Sequence, residues 1–259
     1  MRLSLSPMIQ RTLYFLLATA MAGAAGAAPE TRVIDGVSYQ LLTAPAEAIR
    51  ILWKGADGRQ LRTFPEAVRE LEAKGVGVAT LMNGGIFEPG GIPSGLLIQD
   101  GQQLTPVNRN PGEGNFFLKP NGIFLIGSNG AAVIATEEYP PNGVQVRYAV
   151  QSGPMLLRAG KVHPAFNANS TSRLHRNGIG VTKDGRVVLA MTDRNSPKFP
   201  NLHEFAELFR SLGCADALFL DGDISQMRTG ADLARHSNRF GSIIAVTTPA
   251  PAAQPAPGK

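Results

Sequence analysis

The sequence has a single cysteine, Cys214, among 259 residues. That excludes an intramolecular disulfide framework and any cysteine-built zinc site. There is no run of five or more Lys/Arg, although the formal charge is +5. A nucleic-acid partner is therefore not expected. No GxGxxG fingerprint and no HExxH occur, and the four histidines have no metal-ligand spacing. They read as surface or supporting residues, and no metal or cofactor is expected. Ser152 lacks a GxSxG context, which leaves a nucleophile elbow unsupported. No apolar run reaches the length of a membrane span.

The N-terminus carries Arg2 and Arg11, a short apolar core from Thr12 to Met21 and small residues from Ala22 to Ala28. This is the pattern of a secretory signal peptide over 1–27, cleaved after Ala27 because Pro29 disfavours the next cut. Its removal takes away two arginines and leaves +3. A periplasmic or secreted protein without a stable membrane anchor is expected. At the other end, PAPAAQPAPGK (249–259) reads as a disordered Pro/Ala-rich tail. The folded domain is expected over 31–248.

With 43% hydrophobic residues the chain can bury a core, and 29 Gly with 19 Pro point to many turns. Pro65 to Lys74 reads as a helix stopped by Gly75. Leu202 to Leu212 reads as a second, with Leu202, Phe205, Leu208, Phe209 and Leu212 on one face and Gly213 as its stop. Val76 to Met82 reads as a strand. Hairpins are predicted at Leu96–Leu104 around Asp100-Gly101, at Phe116–Ile126 around Pro120-Asn121-Gly122, and at Ile179–Met191 around Asp184-Gly185. Ala217–Leu220 and Ser242–Thr247 read as short buried strands. The predicted class is α+β, with a mixed, largely antiparallel β-sheet, hairpins and a few packed helices.

Four segments concentrate polar chemistry. Asn83-Gly84-Gly85-Ile86-Phe87-Glu88 leaves an apolar strand, where glycines let backbone N–H groups approach a ligand. Gln151-Ser152-Gly153-Pro154 joins two apolar strands. Asn169 to Gly180 places Arg173 and Arg176 among hydroxyls, Thr171 included, and guanidinium forks suit phosphate. Leu218 to Gln226 puts Asp221 and Asp223 at the end of a buried strand, where carboxylates serve acid/base work or hold a hard cation.

In this order, NGGIFEPGGIPSGLLIQDG, GNFFLKPNGIFLI, QSGPMLL, NSTSRLHRNGIGV and LFLDGDISQM resemble the phosphodiester glycosidase domain over roughly Arg50 to Val246. That family is related to the enzyme that removes N-acetylglucosamine from a sugar-1-phosphodiester. Members often carry a Gly-rich sequence after the motif Asp. Asp221-Gly222-Asp223-Ile224 departs from that and looks like the bacterial branch. The resemblance implies an exported hydrolase of a glycosyl-1-phosphodiester in an envelope or extracellular glycan, with a carbohydrate phosphate as its partner. On that reading Asp221 activates water or attacks directly, with Glu88 next in line. Arg176 holds the phosphate, with Arg173 as second choice. Asn83, Gly84, Ser152, Thr171 and Asp223 bind or orient substrate. The rivals are a non-catalytic sugar-phosphate-binding protein of the envelope, and a metal-dependent phosphodiesterase that cleaves P–O through Asp221 and Asp223.

Overall fold

The computed structural model describes residues 28–248. The expected signal peptide (1–27) and Pro/Ala-rich tail (249–259) lie outside the described residues.

Three antiparallel sheets share one central core. The largest has seven strands in the order Glu30–Ile34, Val37–Ala44, Val187–Thr192, Asn177–Thr182, Cys214–Asp221, Met155–Arg158 and Lys161–Val162. A five-stranded sheet runs Gly130–Ala135, Gly122–Gly127, Val146–Ser152, Leu97–Gln99 and Gln102–Thr105. A four-stranded sheet runs Met227–Thr229, Gly77–Asn83, Ile243–Thr248 and Ile49–Leu52. Phe87–Glu88 and Ile92–Pro93 form a separate ribbon. Leu42, Ile51, Met82, Phe124, Val150, Ile179, Leu218 and Ile244 draw all three sheets into the same cluster. The architecture is β-dominated, with two ten-residue α-helices among the described residues. Every strand pair among the described residues is antiparallel, so the expected mixed character is absent.

Each α-helix covers the outer face of one sheet. Helix α1 (Phe64–Ala73) starts where the Glu66 carboxylate accepts the Thr63 N–H at 2.8 Å and ends at Gly75, with φ +70°. Its Phe64, Ala67 and Leu71 pack on Leu81, Ile243 and Ala245 of the four-stranded sheet. Helix α2 (Leu202–Ser211) is capped by Asn201, whose side chain accepts the Glu204 N–H at 2.8 Å, and ends at Gly213, with φ +81°. Its Phe205 and Phe209 pack on Tyr39, Leu41, Ala217 and Phe219. Strand alternation sends Ile179 and Val181 into the central core and turns Gly178 and Gly180 toward α2. A Cβ on Gly178 would lie 3.1 Å from both Phe205 and Phe209, so these glycines are required by helix packing.

The hairpins around Asp100-Gly101 and Asp184-Gly185 form as expected. The one predicted over Phe116–Ile126 does not. Asn115–Phe117 is a 3-10 turn, and the Asn121 amide donates to the Phe116 carbonyl at 2.8 Å, folding the segment back. Pro120, which has no N–H, cannot join a ladder there. Gly122–Gly127 pairs instead with Gly130–Ala135 and Val146–Ser152.

Candidate active site

Strand ends from different sheets meet at one corner. Asn83 ends a strand of the four-stranded sheet, while Asn177 begins and Asp221 ends neighbouring strands of the seven-stranded sheet. Asn177 pairs with Asp221 and Gly178 with Phe219, which leaves Leu220 as an extra residue. Such a bulge re-aims the side chain beside it. The Asp221 carboxylate consequently faces Asn83, whose Nδ2 lies 3.4 Å from its Oδ2.

The three residues are closed into a ring. Asn83 Oδ1 accepts from Asn177 Nδ2 at 3.1 Å and from the Gln226 N–H at 2.9 Å. Two donors at this oxygen fix the amide orientation, so Nδ2 points at Asp221. Asn177 Oδ1 accepts the Asp221 N–H at 2.8 Å, and Asn177 Nδ2 also donates to the Asn83 carbonyl at 2.9 Å. Asp221 Oδ1 accepts the Gly222 N–H at 2.7 Å. Burial, with the Asp223 charge adding to it, pushes the Asp221 carboxyl up to about 6, while the Gly222 N–H and the Asn83 amide hold it down. A carboxylate placed like this is ionised near neutrality yet basic enough to take a proton.

The other expected residues are distributed differently. Ser152 is fully buried. Its hydroxyl donates to the Leu220 carbonyl at 2.9 Å and accepts from the Ile86 N–H at 3.4 Å. It braces the Asp221 strand rather than meeting a substrate. The Gly84 N–H goes to the Ser242 carbonyl at 2.9 Å, and a Cβ there would sit 2.2 Å from Ser242 Oγ. Close chain approach, not ligand contact, explains this glycine. Glu88 is exposed on the ribbon and accepts from Ser94 Oγ at 2.7 Å, with no contact to the Asn83–Asp221 ring. Thr171 is exposed, as is Asp223.

The two arginines expected on phosphate are committed elsewhere. Arg173 forms a two-pronged pair with Glu204 of α2, at 2.5 and 2.8 Å, and donates to the Phe199 carbonyl at 3.1 Å. Its fork is filled. Arg176 is only 2% exposed. Alternation places it on the α2 side of the sheet, across from Asn177, and its guanidinium sits 5.7 Å over the Phe219 ring. Nε and Nη2 reach the carbonyls of Pro200 and Ser172 at 3.3 and 3.2 Å. Burial pushes it down to about 10, opposed by Asp223. It does not touch Asp221.

Four residues around Asp221 were not singled out by sequence reasoning. Asn177 and Gln226 lie inside the polar segments Asn169 to Gly180 and Leu218 to Gln226, where neither was given a role. His175 is buried, with Nε2 3.1 Å from the Ser225 carbonyl, which requires the proton on Nε2, while Nδ1 has no partner among the described residues. Burial pushes its pKa down, so it is neutral at neutral pH. Arg194 donates through Nη2 to the Asp223 carbonyl. Only strand register, which brings residues 175–177 opposite 221–225, reveals this group. Among the described residues no three His, Cys, Asp or Glu side chains form a metal-ligating cluster.

Comparison with known proteins follows the same lines. A family model described as phosphodiester glycosidase matches residues 76–246. The uncharacterized protein YigE of Escherichia coli is 32% identical over 182 residues, 70% of this chain and 69% of YigE. Among solved structures, the zebrafish N-acetylglucosamine-1-phosphodiester alpha-N-acetylglucosaminidase catalytic domain, auto-inhibited by its pro-peptide, superposes with a TM-score of 0.61. It is 16% identical, over 84% of this chain and 81% of that one. A hypothetical protein from Synechocystis gives a TM-score of 0.52 at 14% identity, over 85% of this chain and 61% of that one. At these identities the two structures bear on the fold alone.

Proposed function

The chain belongs to the phosphodiester glycosidase family, and on that premise we propose that it hydrolyses a glycosyl-1-phosphodiester, with Asp221 as the group that activates water. The observation that carries this reading is the Asp221 carboxyl itself, fixed at a rigid sheet corner by Asn83 and Asn177 and raised to about 6. Cleavage at an anomeric carbon passes through an oxocarbenium-like transition state. The departing phosphomonoester is a good leaving group and needs little protonation. The demand falls instead on the attacking water. Asp221 takes its proton as the water oxygen bonds to C1, and the C1–O(P) bond breaks with its electron pair going to phosphate. Asn83 and Asn177 act through Asp221 by fixing its orientation. Ser152 holds the strand that carries it.

The substrate is proposed to be an envelope or extracellular glycan, in keeping with the signal-peptide pattern of residues 1–27. A mature N-terminus at Ala28, read by mass spectrometry of exported protein, is the expected result. Intact Met1 in that fraction counts against export.

The test of the reaction is hydrolysis of a panel of sugar-1-phosphodiesters in solvent enriched in heavy oxygen. Label in the sugar is expected. Label in the phosphate would establish P–O cleavage instead, and binding without turnover would leave a sugar-phosphate-binding protein.

A further inference from the structure

A phosphodiester hydrolase needs a cation where the leaving phosphate gathers charge. Arg173 is occupied by Glu204, and Arg176 is buried against Phe219. Arg194 has the required placement. It follows the Val187–Thr192 strand, whose register sets Met191 opposite Asn177. The chain beyond Thr192 therefore runs beside the segment before Asn177 and reaches the turn after Asp221. Arg194 Nη2 donates to the Asp223 carbonyl and lies 3.5 Å from the Ser225 carbonyl. Asp223 is two residues past Asp221, so the carbonyl that anchors the guanidinium lies within roughly 7 Å of the backbone that carries the carboxylate.

Its remaining donors are unspent. Arg194 is exposed and makes no ion pair among the described residues, and Nε and Nη1 have no hydrogen-bond partner there. One nitrogen is therefore tethered to the turn while the others are open to an anion. Nε and Nη1 lie on either side of Cδ and share no edge, so the open donor at the guanidinium tip is Nη1, whose two N–H groups suit a phosphoryl oxygen as a charge-assisted contact. The electrostatics agree, since the Arg194 charge reaches the neighbouring His175 and contributes to its lowered pKa.

We propose that Arg194 is the phosphate-binding residue of this site, with its free Nη1 amino group directed at a non-bridging oxygen of the substrate phosphodiester. The proposal rests on the glycosyl-phosphodiester reading for its substrate, but anion binding can be measured without turnover. Inorganic phosphate and a sugar-1-phosphate would be titrated calorimetrically into the mature protein and into Arg194→Gln, Arg194→Lys and, as control, Arg173→Gln. Arg194→Gln is expected to weaken both ligands about 10- to 100-fold, as for loss of a charge-assisted contact. Arg194→Lys should fall between it and wild type, and Arg173→Gln should bind as wild type does. Melting temperatures verify that each variant is folded. Wild-type affinity in Arg194→Gln, or no phosphate binding by the wild-type protein at millimolar concentration, overturns the proposal. A wild-type protein that binds phosphate through Arg194 but cleaves no sugar phosphodiester refutes the catalytic reading and leaves the anion site standing.

Discussion

Replacing Asp221 with Asn separates chemistry from stability in a way that only a strained carboxylate can produce. Asp221 is raised from its ordinary 3.8 to about 6 because burial disfavours its charge. A folded-state pKa above the unfolded value means that the folded protein binds the proton more tightly. The associated stability is fully present below about pH 4 and is lost as pH rises through 6. Above that pH the native state carries a penalty of at most about 3 kcal/mol. Asn carries no charge and escapes the penalty. It retains an acceptor for the Gly222 N–H but turns its NH₂ toward Asn83 Nδ2, the 3.4 Å contact, and a donor facing a donor costs about 1 kcal/mol. The net expectation at pH 8 is a variant more stable than wild type by about 1–2 kcal/mol, or roughly 2–8 °C in Tm. Near pH 4 the order reverses, because only the mismatch remains. The two Tm-against-pH curves should therefore cross between pH 4 and 7. Over the same range kcat of Asp221→Asn should be about 10²–10⁴-fold below wild type, the size of a general-base contribution. Thermal melts at half-unit pH intervals and initial rates on one phosphodiester measure both. Parallel melting curves would refute the raised carboxyl, and near-normal kcat would refute its role as the base.

For the wild-type protein, kcat/KM should rise with pH through an acidic limb near 6, where Asp221 ionises in the free enzyme. Asn83→Ala removes a contact that favours the ionised form, so the limb should move to higher pH, and an unmoved limb would detach it from Asp221. Gly84→Ala forces a Cβ to within 2.2 Å of Ser242 Oγ and should destabilise by about 1–3 kcal/mol, with Ser242→Gly restoring much of the loss in a double-mutant cycle read by urea melts. Arg173→Ala should lower Tm slightly by releasing Glu204 at the start of α2, with KM unchanged. A large KM increase would return Arg173 to the substrate.

What the sequence by itself determined is local. Pro65 and Gly75, and the apolar face from Leu202 to Leu212 before Gly213, mark both helices within a residue or two, because helix stops act over one turn of backbone. Asp100-Gly101 and Asp184-Gly185 specify their hairpins, because the positive φ at Asp100, Gly101 and Gly185 is a property of those few residues. Asp221 could be singled out too, since a carboxylate ending an apolar run before glycine is visible without any partner. Motif proximity misled for Arg173 and Arg176. Whether a guanidinium meets phosphate, Glu204 or Phe219 depends on which helix covers which sheet face. The same holds for the Asn83–Asn177 clamp, which joins residues 94 positions apart, and for the turn at Phe116 that an Asn121 side chain folds back. These outcomes were decided by the tertiary structure. Strand register and face alternation are set by the packing of three sheets on one core, and a one-residue shift reverses where every side chain points.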